Sequence, residues 1–531
     1  MQDAIDSRPM TVRKLGWRGL KGRSFRKLRA ILPNYKLIVL LSIAVNMFLF
    51  CLRMAKTFSR SQNLRFFRSA LLDFLKHTER ASKTEIEILL QSLKGWEEKI
   101  PPEKATKTIE QQLKVFEGND RVSELFFTLS NVHYLAGDFV NHKANVLLGL
   151  EALRNLRRYS PLDKLGVKFL FTEDWGWGIG HTAHLDQLVR LRELGFLSEH
   201  RRILVLSPED GANKHYMSYW KQYFDVLVVT RHEARVLYSI MRPISEQLSG
   251  FELKSGFSTF YEAWNLAGDN WSKESRAPLL KLKSIDSENG WKILEKLGVP
   301  AGSWFVALHV REYKPHTPNN NKLRAMPNAD IQTYMPAIQS IIARGGWVIR
   351  MGDASMSELS KVSGLIDYAN STYKSEWLDV FLWASCKFFI GTSSGPISVP
   401  PSFGVPVLYT NCCGIGISPA LGKSLVIPKL FSSKSEKRFL SFSEILASPL
   451  GWTVRVPEDD DIELHDNSPD EILYATDEMF SKLDAGDGAF YNLSDLQEAY
   501  DQLRRKYGNN ASTPISASFV NRYRHLLPQI K

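Results

Sequence analysis

His309 and Arg311 stand two residues apart at the end of an apolar run, Trp304 to Val310. Residues two apart on a strand share a face. Arginine offers a planar, permanently charged fork that suits a diphosphate, and histidine can donate a hydrogen bond or carry a proton. The plainer alternative is a surface salt bridge from Arg311 to Glu312 beside a structural histidine. A second group, Gly391-Thr392-Ser393-Ser394-Gly395, ends the apolar stretch "KFFI". Small residues let backbone N–H groups approach an anion, and the helix expected to open there favours negative charge at its start. A tight strand-to-helix cap would have the same composition. No lysine follows the glycine, so this is not a Walker loop. A third group is "WGWGIGH", Trp175 to His181. Its alternating glycines lack the last glycine of a dinucleotide fingerprint, and no clear acidic residue ends the next strand. It reads better as a loop lining a cleft, with Glu173, Asp174 and His181 as candidate general bases. Arg350 and Asp353 in "RMGD", and Asp367 in "IDY", end two further strands, where such groups either read a ribose or base or cap a turn.

These residues need elements to hold them. "VKFLF", "RILVLSP" and "DVLVV" read as strands, with helices "HLDQLVRLRELGF" and "HYMSYWKQYF" between them. This alternation predicts a doubly wound α/β domain. Residues 231–290 carry no clear period. A second alternation starts near Gly302: "WFVALHV", "WVIRMGD", "LIDYA", "KFFIGTSSG" and "VPVLYTN" are strands. The helix "NADIQTYMPAIQSIIARGG" is expected to be capped by Asn328, bent at Pro336 and ended by Gly345–Gly346. "EWLDVFLWASC" is a further helix. In such sheets ligands bind outside the carboxyl ends of the strands, where all these candidate groups lie.

The chain has 531 residues, 44% hydrophobic and 24% charged, which exceeds one core and is not the composition of a disordered protein. Its net charge of +11 is concentrated: residues 1–80 hold 17 Lys/Arg against 4 Asp/Glu, and the remainder holds 51 against 53. Nucleic-acid binding by the whole chain is therefore not expected. Leu37 to Leu52 is an uncharged run of 16 residues between Lys36 and Arg53. As a helix it reaches about 24 Å, short of the roughly 30 Å of a bilayer core. Basic flanks make it a membrane anchor, spanning or lying in the interface; a buried core helix is the other reading. "SELFFTLSNVHYLAGDFVNHKANVLLGLEAL" has helical spacing broken at Gly137–Asp138, like one tetratricopeptide-type hairpin or part of a plain bundle. The four cysteines form neither a disulfide framework nor a metal pattern, which suits a reducing compartment. The boundaries expected are 1–60 for the basic terminus and anchor, 61–160 for the helical segment, 161–295 and 296–465 for two Rossmann-like domains, and 466–531 for closing helices.

The second half resembles the GT-B glycosyltransferases of the fucosyltransferase-like superfamily, which carry an H-x-R element at a strand end and a later serine-rich loop. Here these are His309-Val310-Arg311 and Gly391 to Gly395. More closely, the chain resembles a bacterial glycosyltransferase family with a helical-repeat segment before the enzyme. Its members carry "IGH", "NADIxxYxPAI", "GGWVIRMGD", "IDYA" and "DVFLxAxCxFFIGTSSG", found here at 179–181, 328–338, 345–353, 366–369 and 379–395. The resemblance covers roughly 167–480. It implies a GT-B architecture, with two Rossmann-like domains facing across a cleft, and sugar transfer from a nucleotide-activated donor to a glycan or glycolipid of the cell envelope. It gives Arg311 the donor diphosphate, and Thr392, Ser393, Ser394 and Gly395 its phosphate or ribose. His309, Arg350, Asp353 and Asp367 complete the expected binding set. Glu312-Tyr313 replaces part of the longer H-x-R-R-T-D pattern, so fucose and GDP are not implied. No cofactor or metal is expected: the acidic run Glu458–Asp466 reads without a flanking strand and is expected to be a solvated loop. The expected location is the cytoplasmic face of the inner membrane, through residues 1–60, with a possible protein partner on the helical segment. The competing readings are an inactive scaffold that binds partners through that segment, and a dinucleotide-dependent sugar epimerase.

Overall fold

The computed structural model describes scattered positions between 123 and 134, then residues 137–158, 166–209, 211–312, 326–417, 422–452, 459–509 and 513–528. The expected anchor at 37–52 and the helices expected before residue 123 lie outside the described residues. Among those described, no helix is long and apolar enough to cross a membrane.

The break at Gly137–Asp138 is present. Gly137 takes φ +71°, a left-handed conformation that only glycine adopts without cost. Asp138 Oδ1 accepts from the Asn141 N–H at 3.1 Å, as an N-cap carboxylate does. Helix α1 (Phe139–Arg158) follows. It is docked on the rest of the chain. Arg157 pairs with Glu252 at 2.7 Å, Tyr134 and Tyr261 share a hydrogen bond of 2.8 Å, and Phe139 stacks on Trp452 with ring centroids 4.8 Å apart.

The first α/β unit runs β1 (Val167–Phe171), α2 (Thr172–Trp175), α3 (Ile179–Ala183), α4 (Leu185–Glu193), β2 (Arg201–Leu206), α5 (Lys214–Trp220), β3 (Asp225–Val228) and α6 (Arg231–Met241). Its strands are parallel, in the order β1-β2-β3. Every residue of β1 is buried, as an apolar run covered on both faces requires. Leu170 and Leu204 join Leu188 and Trp220 of α4 and α5 on one face. Phe169, Phe171 and Val205 join Leu237 and Met241 of α6 on the other. Helices therefore flank both faces, but the strand order advances in one direction. Beyond β1 lies only a single parallel bridge among the described residues, from Phe169 to Ser245. The stretch without a clear period forms α6, a hairpin of β4 (Gly250–Leu253) and β5 (Gly256–Thr259), α7 (Phe260–Lys273) and α8 (Ser284–Lys296). Capping boxes open α6 (Thr230, Glu233) and α7 (Thr259, Glu262).

The second unit holds β6 (Phe305–His309), α9 (Met335–Ala343), β7 (Trp347–Arg350), β8 (Leu365–Asp367), α10 (Glu376–Ser385), β9 (Phe389–Gly391), β10 (Val407–Cys412) and β11 (Ser424–Pro428). All its strand pairs are parallel, in the order β8-β7-β6-β9-β10-β11. Numbered by appearance this is 3-2-1-4-5-6, the Rossmann order, and the chain reverses direction between β6 and β9. A crevice forms outside the carboxyl ends at such a switch point because the two connections leave on opposite faces.

Four local expectations are corrected. The Asp330 side chain accepts from the Gln332 N–H at 2.9 Å and opens a 3₁₀ turn, Ile331–Tyr334, so Asn328 is not the cap. Pro336 then falls in the first turn of α9, where its missing N–H costs no bond and no bend results. Gly395 opens a 3₁₀ turn, Gly395–Ser398, and a second turn spans Pro400–Phe403; prolines 396, 400 and 401 have no N–H to donate to a regular α-helix. The acidic run contains a strand. After β12 (Leu430–Ser433), β13 (Arg438–Phe439) and α11 (Phe442–Ala447) comes β14 (Ile462–His465), antiparallel to β12.

Of the closing helices α12 (Pro469–Ala485), α13 (Asp495–Lys506) and α14 (Ala517–Arg522), α12 packs on the second sheet at β10 and β11, and α14 packs on α12 and α13. Phe480 of α12 meets the Trp304 and Phe388 rings at 5.7 and 5.1 Å. The two α/β units share one continuous apolar cluster. At their junction Asn213 Nδ2 donates to the Glu376 carbonyl at 2.9 Å, the Lys214 N–H donates to Glu376 Oε2 at 2.8 Å, and the hydroxyls of Tyr216 and Ser402 are 3.1 Å apart.

Candidate functional site

The switch point brings His309 and the serine loop together. β6 and β9 are neighbours, with His309 opposite Gly391 in register. The Thr392 N–H continues the ladder to the His309 carbonyl at 3.3 Å, and Thr392 Oγ1 accepts from the Arg311 N–H at 3.0 Å. Ser394 Oγ lies 3.1 Å from His309 Nδ1 and donates to the Thr392 carbonyl at 3.2 Å. Since that hydroxyl proton points at a carbonyl, His309 Nδ1 is the donor to Ser394, which leaves Nε2 with its lone pair. Burial pushes the His309 pKa down to about 4, and the positive charges of Arg350 and Lys374 add to this, so the ring is neutral at ordinary pH.

Ser393 faces the other way. Its hydroxyl is 2.6 Å from the Tyr409 hydroxyl and accepts from the Cys413 N–H at 3.1 Å. Both serines are thereby fixed in rotamer. Among the described residues none accepts from the backbone N–H groups of Ser393, Ser394 and Gly395. These three residues are half exposed at the strand end, and Ser394 is extended at φ −150° and ψ 160°, so the N–H groups of Ser394 and Gly395 point to opposite sides and offer single donors to an anion rather than a closed nest. Burial raises the Cys413 thiol to about 11, opposed first by the charge of Lys429 and least by that of Arg311. Arg311 thus adds positive charge beside the serine loop.

Arg350, Asp353 and Asp367 are placed differently. Arg350 is fully buried, with Nη1 on Asp367 Oδ1 at 2.8 Å and Nη2 on Glu312 Oε2 at 3.0 Å. Glu312 therefore pairs with Arg350. Asp367 also accepts from Asn370 Nδ2 at 2.9 Å. Asp353 accepts from the Ser355 N–H at 2.9 Å and from the Ser355 hydroxyl, an Asx-type turn. Arg350, Asp367 and Glu312 thus tie the ends of β6, β7 and β8 together. Lys374 is absent from the set expected from the sequence. It grips Asp379 at 3.0 Å with its ammonium over the Tyr368 ring. Its place in the polar stretch after "IDYA" is the one signal that could have pointed to it.

The first unit meets this site through its glycine loop. Gly180, in α3, lies against Gly395: a Cβ added at Gly395 would sit 2.8 Å from the Gly180 nitrogen. The segments leaving the carboxyl ends of β1 and β9 therefore touch. His181 Nδ1 donates to the Asp174 carbonyl at 3.0 Å. A carbonyl can only accept, so the proton is on Nδ1 and the lone pair on Nε2. Burial lowers the His181 pKa, partly opposed by that hydrogen bond. The other two candidates are engaged: Glu173 pairs with Arg235 at 3.0 Å. Burial raises the Asp174 pKa, against the pull of Arg242 and a hydrogen bond from Tyr238. Among the described residues no group of three His, Cys, Asp or Glu is placed to hold a metal ion.

No protein-family model and no curated protein matches the chain. Among solved structures, the glycosyl transferase family 9 protein from Veillonella parvula covers 59% of this chain and 96% of its own, at 11% identity and a TM-score of 0.36. The E. coli ADP-heptose LPS heptosyltransferase II covers 60% and 100%, at 11% identity and 0.34. The wall teichoic acid polymerase TagF covers 48% and 75%, at 11% identity and 0.22. Likenesses at these scores carry no weight for function, which rests on the site's own geometry.

Proposed function

We propose that the chain is a glycosyltransferase of GT-B type, moving a sugar from a nucleoside-diphosphate donor to a hydroxyl of a cell-envelope glycan or glycolipid. One observation carries this reading. At the switch point, His309 and Arg311 stand beside a serine loop whose N–H groups meet no acceptor among the described residues, and the opposite unit brings a neutral histidine to the same place through the Gly180–Gly395 contact. The polar groups on one side suit a diphosphate, and the base on the other suits an alcohol.

The steps are set by those groups. The donor diphosphate rests on the N–H groups of Ser393 to Gly395 and on Arg311. The bond from the sugar's anomeric carbon to the phosphate oxygen breaks, and its electron pair leaves on the diphosphate. Fixed N–H donors and the guanidinium stabilise that growing charge without reorganising. The acceptor oxygen forms the new bond to the anomeric carbon and gives its proton to His181 Nε2. His309, neutral and held by Ser394, positions the loop and can donate no charge of its own. The positive charge on the leaving group is supplied by Arg311, so no metal is needed in this scheme. The basic residues of 1–60 and the run at 37–52 would hold the enzyme at the cytoplasmic face of the inner membrane, where activated sugars are made.

The test is to incubate the full-length protein with UDP-, GDP-, ADP-, dTDP- and CDP-sugars and a bacterial envelope lipid extract, and to follow nucleotide release. Release from one donor, accelerated by the extract and reduced by about 10²–10⁴-fold in His181→Ala, is expected. A folded protein that releases nucleotide from none of them counts against the reading.

A further inference from the structure

The glycine loop displays a residue that neither the packing nor the proposed proton transfer uses. Trp177 is 64% exposed, an unusual position for the largest apolar side chain next to a polar site. Its backbone is not loose. The Gly176 N–H donates to the Thr172 carbonyl at 2.9 Å, and the Gly176 carbonyl accepts from the Ala212 N–H at 2.9 Å. On the other side the Gly178 carbonyl accepts from the Thr182 N–H at 3.0 Å. The indole therefore stands on a segment pinned at both ends. Its ring meets that of His181 at 88°, with centroids 4.6 Å apart. A few residues on, the same loop packs against Gly395 of the serine loop. An exposed aromatic plane on fixed backbone, perpendicular to the candidate base and carried by the unit opposite the diphosphate cradle, has the form of a binding platform.

We propose that Trp177 is the acceptor platform: a pyranose ring of the acceptor glycan stacks its C–H face on the indole, which sets one of its hydroxyls beside His181. This deepens the glycosyltransferase reading and rests on it. The chemistry favours a sugar over a lipid chain. An indole face carries negative charge density and attracts polarised C–H groups, and Trp177 is flanked by Gly176 and Gly178 and meets the His181 ring. A nucleobase would also stack on an indole, but the base belongs to the donor, whose phosphates are placed on the other unit.

The experiment uses full-length protein in a sugar-free detergent and two readouts. Saturation-transfer NMR is run with methyl β-glucopyranoside, methyl α-mannopyranoside and methyl β-galactopyranoside, on wild type, Trp177→Ala and Trp177→Tyr. Nucleoside-diphosphate binding is measured on the same three proteins by calorimetry. The expected result is saturation on the C–H protons of one face of at least one glycoside, reduced about three- to tenfold in Trp177→Ala and largely restored in Trp177→Tyr, with nucleotide affinity the same in all three. Equal saturation in wild type and Trp177→Ala, or none of the glycosides saturated by a protein that binds nucleotide, overturns the platform while leaving the donor site standing. Glycoside binding through Trp177 in a protein that binds no nucleotide supports the platform and removes the transferase reading instead.

Discussion

His309 lies within hydrogen-bond reach of Ser394, and burial holds its pKa near 4, so its role at neutral pH is that of a fixed dipole. A proton is bound more weakly in the folded state than in the unfolded one, where the imidazole has its ordinary value near 6.5. The unfolded state therefore binds more protons between those values, and stability falls as pH drops from about 6.5 towards 4. Melting temperatures measured from pH 7 to pH 5 should decline, and His309→Gln, which keeps an amide beside Ser394, should decline less. For His181 the rate is the readout. In the proposed transfer its neutral form is the base, and its pKa is lowered, so kcat/KM should be flat near pH 7 and fall only below the ordinary imidazole range. An acid limb centred above pH 6.5 would exclude His181 as the base. The residue types of this site were legible in the sequence because His309, Arg311 and the serine loop each end a run of apolar residues. The choice among Glu173, Asp174 and His181 was not, because it depends on Arg235, Tyr238 and Arg242, more than fifty residues along the chain.

At the scale of elements, the strands of both sheets were readable because buried parallel strands are short continuous apolar runs bounded by polar turns. The winding of the first sheet and the pairing of β14 were not, since neither has a local signature. A helix cap is ambiguous in sequence where two candidates lie close together, as with Asn328 and Asp330. Arg350 shows how one residue type serves two ends. A strand-end arginine reads as a ligand for phosphate, yet this one joins β7 to β8 and to the segment after β6 through Asp367 and Glu312. Removing it leaves two carboxylates without their cation in a site where the arginine itself is fully buried. Arg350→Ala should therefore lower stability by about 3–5 kcal/mol, measured by urea denaturation. If it instead melts like wild type and only loses nucleotide affinity, Arg350 is a ligand and the structural assignment fails.

At the scale of the whole molecule, the proposed transfer depends on two α/β units that present their carboxyl ends to each other. The shared apolar cluster and the bonds from Asn213, Lys214 and Tyr216 hold them together. At the site itself the units approach through two glycines. A methyl group at Gly395 would lie 2.8 Å from both the Gly180 nitrogen and a methyl of Ile179, so Gly395→Ala must push the units apart or shift the serine loop. Because the loop is half exposed, the expected cost in stability is modest, about 1–3 kcal/mol, while turnover should fall by at least about 10²-fold through misplacement of the reacting groups. Thermal melts run beside the nucleotide-release assay check both halves. The pair of glycine-rich loops is visible in the sequence but their meeting is not, because it arises only once the sheets are docked. The measurement that bears most directly on the donor site is calorimetric titration of the full-length protein with GDP, UDP, ADP, dTDP and CDP, alongside Arg311→Ala. We expect one nucleotide to bind and its affinity to drop about 10- to 100-fold in the variant, the size of a lost charge-assisted hydrogen bond. Equal binding by wild type and Arg311→Ala, or no nucleotide bound by a folded protein, would contradict a donor site at the junction of β6 and β9.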